Sequence, residues 1–378
     1  MKILLVANYL PDAQESMQRF AAALHGGLTE RGMDCHLIRP PIRMRPARGP
    51  NQGLRKWLGY ADKFVLFRRQ LRLAAEWAEV VHVCDHSNAL YLPLVSSKPH
   101  LITCHDLLAV RCARGEIPGQ RTAWSGRVLQ QLIVRNLARA SRICCVSQAT
   151  RQDVLRLTGL APERVSVVHN GLNYAFSPCA PAEAWARLAA FGIPAHWPFL
   201  LHVGGNQWYK NREGVLRIFA GLLGRGVDAD LVMVGKPWTE SMRRMGALPP
   251  LAGRVRELVG VSGEDLRGLY SVARALLFPS LSEGFGWPVI EAQACGCPVI
   301  ASQITPLQDV AGDAALWVNP QDEDAAAVLI ASRWNDLGPL RDAGLRNAAA
   351  YSAESMVGGY LREYGFALAQ VRNPPGPR

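Results

Sequence analysis

Short apolar, β-branched runs alternate along this chain with stretches in which apolar residues recur at helical period. The runs predict strands over Lys2–Asn8, Asp34–Ile38, Val80–Cys84, His100–Cys104, Ile143–Val146 and Val165–Val168. A second series follows over Phe199–Val203, Ala229–Val234, Val255–Val259, Ala275–Phe278, Pro298–Ala301 and Ala315–Val318. Helical patterns fall between them, among them Ser16–Arg31, Arg121–Ala140, Asn211–Gly224 and Glu264–Ala273. Such alternation builds parallel sheets with helices on both faces. Two series predict an α/β protein of two doubly wound, Rossmann-like domains. The proline-bearing stretch 174–198 reads as a linker with a short helix. The expected division is therefore 1–180, 181–352 and a closing helical segment, 353–378, that crosses back to the first domain. Its tail, RNPPGPR, is expected to fray. Open parallel sheets take ligands beyond the carboxyl ends of their strands, so the expected site is a cleft between two facing sheets.

Composition adds little until charge is mapped. A chain of 378 residues, 49% hydrophobic and 19% charged, has the balance of an ordinary globular protein. No apolar run reaches the ~18 residues that span a bilayer. The opening residues read as a first strand rather than a secretory leader. The nine cysteines form no CxxC pair and sit largely in apolar runs, as buried free thiols of a reduced cytoplasm do. No His/Cys cluster has zinc-ligand spacing, and no metal is expected. The formal charge of +11 is concentrated. Residues 39–72 hold ten basic residues against Asp62 alone, interleaved with Met44, Leu54, Trp57, Leu58, Phe64 and Phe67. Such a segment suits an anionic membrane surface or a phosphate-bearing acceptor, or is a plain solvated basic face. The chain is expected in the cytoplasm, and on the inner face of a membrane in the case where this segment meets one.

The most informative segment is ALLFPSLSEGFGWPVIEAQACGCPVIAS, residues 275–302. It reads as strand, glycine loop, a helix opened by Pro288, and a second strand. Glycines let main-chain N–H groups approach a ligand, and the helix N-terminus favours an anion. Glu283 and Glu291 cannot serve a phosphate, because like charges repel. Each can accept hydrogen bonds from a vicinal diol, at roughly 1.5–3 kcal/mol per charge-assisted bond. A diphosphate flanked by two sugars satisfies both carboxylates and the amides together. The stretch GGNQWYKNREGVL after the strand FLLHV supplies Lys210 and Arg212 beside another helix N-terminus, a second anion-binding feature.

EGFGWPVIEAQACGCPVIAS closely resembles the E-x7-E region of glycosyltransferase family 4, the retaining GT-B enzymes of the glycosyl transferases group 1. The resemblance runs from about residue 100 to 310 and is sharpest after residue 199. CVSQATRQDV and VVHNGLNYAF match the steps that lead out of the first domain. By resemblance, Glu283 meets hydroxyls of the transferred sugar and Glu291 meets the nucleotide ribose. Gly284, Phe285 and Gly286 supply the loop at the sugar or diphosphate. Lys210 holds the diphosphate, with Gly204, Gly205 and Asn206 in the same donor loop. The family's arginine after the strand glycine falls on Gly205 here, leaving Arg212 or Asn206 to replace it. His105, just beyond the strand HLITC, matches the histidine of the transferred-sugar region, and with Glu283 and Lys210 completes the expected catalytic set. On the acceptor side stand Gln14, Glu15, Ser16, His86 and Asp106, although residues 14–16 could equally cap a helix. Residues 8–17 contain no glycine, and no G-x-G-x-x-G is present, which speaks against a dinucleotide cofactor.

The resemblance implies transfer of a hexose, mannose or glucose on GDP or UDP, to a glycan or lipid-linked hydroxyl. The nucleotide-sugar is a co-substrate, and neither cofactor nor nucleic acid is expected. A nucleotide-sugar epimerase or a phosphorylase would share the fold. A non-enzymatic nucleic-acid binder would use the basic segment but leave the carboxylate loop unexplained. Asp228-Ala229-Asp230 is a D-x-D triplet, the metal-holding pattern of another glycosyltransferase architecture. It precedes its strand instead of following it and reads as a turn.

Overall fold

The computed structural model describes residues 1–44 and 54–372; residues 45–53 of the basic segment and the tail 373–378 lie outside the described residues. The described residues form two compact units, Met1–Asn173 with the helix from Ala353, and Tyr174–Ser352. The first holds strands β1 (Lys2–Val6), β2 (Asp34–Ile38), β3 (Val80–Val83), β4 (His100–Cys104), β5 (Arg142–Cys145) and β6 (Val165–Val167). The second holds β7 (Phe199–Gly204), β8 (Asp230–Gly235), β9 (Val255–Leu258), β10 (Ala275–Phe278), β11 (Val299–Ser302) and β12 (Leu316–Val318). All pairings within both sheets are parallel. Every run read as a strand is one, with ends shifted by a residue or so.

Helices of the first unit are α1 (Glu15–Glu30), α2 (Leu54–Ala61), α3 (Phe67–Trp77), α4 (Leu108–Ala113), α5 (Trp124–Leu137) and α6 (Gln148–Thr158). Those of the second are α7 (Pro181–Leu188), α8 (Arg212–Leu223), α9 (Glu240–Gly246), α10 (Gly263–Val272), α11 (Trp287–Ala294), α12 (Thr305–Ala311), α13 (Glu323–Ser332) and α14 (Gly338–Ala348). The closing helix, α15 (Ala353–Arg372), belongs to the first unit. The chain changes unit after Asn173, ahead of the 180/181 division read from the sequence. The reason is local: the Tyr174 hydroxyl donates to Glu264, Cys179 N donates to Ser271, and Phe176 packs on Tyr270, all on α10.

Strand order decides where each unit can bind. The first sheet runs β2-β1-β3-β4-β5-β6 and the second β12-β11-β10-β7-β8-β9. Successive crossovers leave β1 toward β2 on one side and toward β3 on the other. The second sheet makes the same reversal between β7 and β10. Crossover helices diverge there and open a crevice at the carboxyl ends of the strands, the ligand position of doubly wound folds. The central strands β3, β4, β5, β10 and β11 are buried at every position, as strands covered on both faces must be.

Two buried polar devices hold α15 in the first unit. His82 on β3 bonds Tyr364 through Nδ1 and Thr103 through Nε2, both at 2.8 Å, and Thr103 also meets the Tyr360 hydroxyl. Arg142 Nε donates to Glu363 at 2.7 Å with both side chains buried. Burial lowers the pKa of His82 to about 3, so this residue stays neutral and can satisfy both partners.

Candidate active site

In the second unit the site grows from the ends of β7 and β10. Gly204 and Gly235 are register partners where β7 and β8 end. A Cβ on Gly235, whose φ is +148°, would stand 1.9 Å from the Gly204 carbonyl oxygen, so the close approach demands glycine. Past Gly204 the loop turns through Trp208–Lys210 to Asn211, which has a left-handed φ of 52°. Asn211 Nδ2 donates to the Pro279 carbonyl, and Leu281 N donates to the Tyr209 carbonyl at 2.7 Å. The loops after β7 and β10 are thereby stitched together across the strand-order reversal.

That stitching brings Lys210 Nζ to 2.7 Å from Glu283 Oε1, with side-chain exposures of only 16% and 6%. The ammonium also lies 5.0 Å from the Phe278 ring centre, which it can approach as a cation–π partner. Downstream, Phe285 is buried against Trp287 and Tyr351. Gly286 adopts φ +97° as the residue before α11, and a Cβ there would meet Leu307 Cδ2 at 2.5 Å. Gly284, half-buried, links Glu283 to Phe285. Glu291 lies one turn inside α11, buried, and its Oε2 accepts from the buried Tyr270 hydroxyl at 3.0 Å. The two carboxylates read from the sequence therefore belong to one loop-and-helix feature, each with a specific partner.

Arg212 and Asn206 form a brace. Arg212, the first residue of α8, is buried; its Nη1 donates to the Lys236 carbonyl at 2.8 Å and to Asn206 Oδ1. Asn206 Nδ2 donates in turn to the Pro237 carbonyl at 2.7 Å. These bonds tie the loop after β7 to the loop after β8. Arg212 Nε and Nη2 are buried and have no hydrogen-bond partner among the described residues. Gly205 stands between the brace and the strand end, and a Cβ there would collide with the side chain of Gln207. Under the loop lies His202, unremarked in the sequence reading. Its Nδ1 is 3.0 Å from the Leu277 carbonyl, and burial lowers its pKa to about 3. A polar residue within the apolar run FLLHV was the available signal.

The first unit carries a polar cluster at its own strand-order reversal. Asn8, after β1, donates from Nδ2 to both Gln14 Oε1 and Asp85 Oδ2, while Asn88 donates to Asn8 Oδ1. Asp85, after β3, is buried and also accepts from Ser87 N at 2.8 Å. Burial alone would raise its pKa, but His86, His105, the Ser87 amide and Asn8 outweigh it and hold the carboxyl below the ordinary value. His86 Nδ1 lies 3.2 Å from Asp85 Oδ1. His105, after β4, bonds the Cys84 carbonyl through Nε2 at 3.0 Å, leaving Nδ1 without a partner among the described residues. Burial lowers its pKa, and a neutral ring with its proton on Nε2 presents Nδ1 as an acceptor.

The remaining acceptor-side residues separate. Asp106 Oδ1 accepts from Leu108 N at 2.9 Å and so shapes the start of α4. Gln14 precedes α1, makes no side-chain cap bond, and joins the Asn8 cluster instead. Glu15 and Ser16 are exposed in the first turn of α1. Asn8 and Asn88 complete the cluster and were not among the residues singled out. In the D-x-D triplet, Arg254 binds Asp228 at 2.6 Å and Asp230 at 3.1 Å, at the start of β8. All nine cysteines are free thiols.

Comparison with known proteins covers both units. Residues 17–176 match the family model described as Glycosyltransferase Family 4, and residues 185–350 match the one described as Glycosyl transferases group 1. The chain is 28% identical over 305 residues to O-antigen chain mannosyltransferase B of Escherichia coli, covering 79% of this chain and 77% of that protein. It is 30% identical over 293 residues to D-inositol 3-phosphate glycosyltransferase of Salinispora tropica, covering 72% of this chain and 60% of that one. In fold it is similar to sucrose-phosphate synthase from Thermosynechococcus elongatus, with a TM-score of 0.76, 19% identity, and 98% and 99% of the two chains covered. Anabaena HepE in complex with UDP and glucose gives a TM-score of 0.75 at 14% identity, over 97% and 100% of the chains. With two parallel six-stranded sheets, a family model on each unit and the E-x7-E loop in place, this chain belongs to the group 1, family 4 glycosyltransferases of GT-B fold.

Proposed function

We propose that this glycosyltransferase moves a hexose from a nucleoside-diphosphate sugar to a hydroxyl of a glycan or lipid-linked acceptor, with retention of anomeric configuration and no metal. The observation that carries it is the contact of Lys210 with Glu283 at the reversal between β7 and β10. An ammonium has three donors, so Lys210 can keep one on Glu283 and turn the others to diphosphate oxygens. It then opposes the charge that grows on the leaving group, together with N–H groups at the starts of α8 and α11. Positive charge comes from these groups rather than from a metal, and both D-x-D carboxylates are engaged by Arg254.

Glu283, held by Lys210, accepts hydroxyls of the transferred sugar and is a binding carboxylate rather than a covalent nucleophile. Glu291, oriented by Tyr270, accepts the ribose diol. Arg212 takes the place of the arginine missing at Gly205 by fixing the donor loop through Asn206 and the Lys236 carbonyl. His105 Nδ1 accepts a bond from a sugar or acceptor hydroxyl. Attack from the face of the departing phosphate lets that phosphate take the acceptor proton, which gives retention without a protein nucleophile. The mannosyltransferase of O-antigen chains among the relatives supports a polysaccharide or lipid-linked acceptor, and the UDP in HepE supports a nucleotide donor.

The test is a thermal-shift screen with UDP- and GDP-sugars, followed by product analysis by NMR on the best donor. Stabilisation by one nucleotide-sugar, and an acceptor-dependent product with the donor's anomeric configuration, are expected. An inverted product, or conversion of the donor with no acceptor present, would refute the assignment.

A further inference from the structure

We propose that the outer face of the helical segment from α2 through α3 is a docking surface for an anionic phospholipid bilayer. The segment is continuous: α2 passes through a π-helical turn, Asp62–Leu66, directly into α3. Its inward stripe, Phe67, Leu71 and Ala75, is buried in the core of the first unit. That demand met, the opposite face of a globular-protein helix is ordinarily polar. Here it exposes Trp57 at 63%, Val65 at 64% and Leu73 at 56%. Arg68, Arg69 and Arg72 are exposed on the same face. Val65, Arg69 and Leu73 follow one another at i, i+4 spacing, and Arg68 and Arg72 flank them at the same spacing.

The charge on this face stays net positive: three arginines of α3 stand against one exposed acid, Glu76. Of the two acids in the segment, Asp62 points inward, where it is buried and accepts from the Tyr9 hydroxyl at 2.5 Å and from Met44 N at 2.8 Å, while Glu76 is exposed near the end of α3, one turn beyond Arg72. Arg68, Arg69 and Arg72 make no ion pair among the described residues. Lys63, by contrast, is held by Asp12 at 2.7 Å. Isolated apolar side chains standing between unpaired arginines suit the boundary of a bilayer. There the hydrocarbon tips enter the acyl edge while guanidinium groups remain at phosphate level. Among the described residues no helix is long and apolar enough to cross a membrane, so the contact is peripheral. The segment is tied through Tyr9, Asp12 and Asp62 to the loop after β1, the same loop that carries Asn8 and Gln14. A lipid-linked acceptor would then be presented beside the polar cluster of that unit.

The experiment is flotation of the full chain with vesicles of phosphatidylcholine alone and of equal parts phosphatidylcholine and phosphatidylglycerol. No nucleotide-sugar is present, so the outcome is independent of the donor-site assignment. Binding to the anionic vesicles only, weakening as salt rises, is expected. At about 1 kcal/mol per basic residue, Arg68→Gln with Arg69→Gln and Arg72→Gln should weaken partition on the order of 100-fold. Val65→Ser with Leu73→Ser should weaken it about tenfold at unchanged charge, through lost apolar burial. Both sets are exposed, and an unchanged melting temperature establishes that they fold. Equal retention on the two vesicle compositions, or binding untouched by the serine pair, overturns the proposal. Tighter binding to duplex DNA than to the anionic vesicles also overturns it, and gives the face to a nucleic acid.

Discussion

Lys210 and Glu283 are 73 positions apart in the chain and 2.7 Å apart in the folded second unit. Each lies in the loop that follows a strand, and the two strands, β7 and β10, are the neighbours between which the strand order reverses. A cation and a carboxylate are thus set side by side where a diphosphate and a sugar would need one each.

Removing either member should separate binding from chemistry. Lys210→Ala should lower kcat by roughly 100-fold to 1000-fold, the usual effect of deleting one donor to a developing negative charge. It also leaves Glu283 buried without its cation, at a cost of about 3 kcal/mol in urea unfolding. Glu283→Gln should lose turnover while retaining affinity for the nucleoside diphosphate by calorimetry. Near-normal transfer by either purified variant would sink the assignment.

Tyr270→Phe deletes one oxygen and removes a buried donor that helps orient Glu291. The donor KM is expected to rise about tenfold, equivalent to 1–2 kcal/mol, with a smaller change in kcat. Steady-state kinetics with varied donor read the split. A fall in kcat at constant KM would place Glu291 at the reacting bond instead of the ribose.

Gly235→Ala tests the close approach of the two strand ends. The new methyl group would stand 1.9 Å from the Gly204 carbonyl oxygen, and that obstacle is backbone, not a movable side chain. A loss of about 2–4 kcal/mol in stability is expected, with donor binding weakened because the loop after β7 must shift. Gly26→Ala, in α1 with open space about its Cβ, is the control and should be close to neutral or slightly stabilising.

Acid should weaken both units through buried histidines. His82 and His202 have pKa values lowered to about 3, against an ordinary value near 6.5. Between those limits the unfolded chain binds protons that the folded chain does not. Stability is therefore full above about pH 6.5 and is lost as pH falls toward 3, with a slope of roughly 1.4 kcal/mol per pH unit for each histidine. Urea midpoints measured from pH 7 to pH 4 should fall accordingly. His202→Asn should flatten the decline of the second unit; an unchanged slope would mean that His202 titrates normally.

Local order was open to reading because its causes are local. An apolar run of strand length, a proline at a helix start and a glycine before it act within a few residues. The pair Glu283 and Glu291 is likewise held within one loop and one helix, and its spacing appears directly in the chain. His202 passed unnoticed because one polar residue in an apolar run says nothing about which neighbour it meets.

By itself the sequence determined the alternation of elements, their assembly into two parallel sheets, the carboxylate loop and the concentration of positive charge in 39–72. The tertiary structure alone decided the partners. It set Lys210 on Glu283, turned Arg212 inward onto Asn206 and the Lys236 carbonyl, and joined Asn8 to Asp85. It also left Arg68, Arg69 and Arg72 facing outward while Asp62 turned inward. Hydrophobic periodicity selects which face of an element is buried. Strand order and register select which residues from distant parts of the chain meet, and those arise from the packing of every element together.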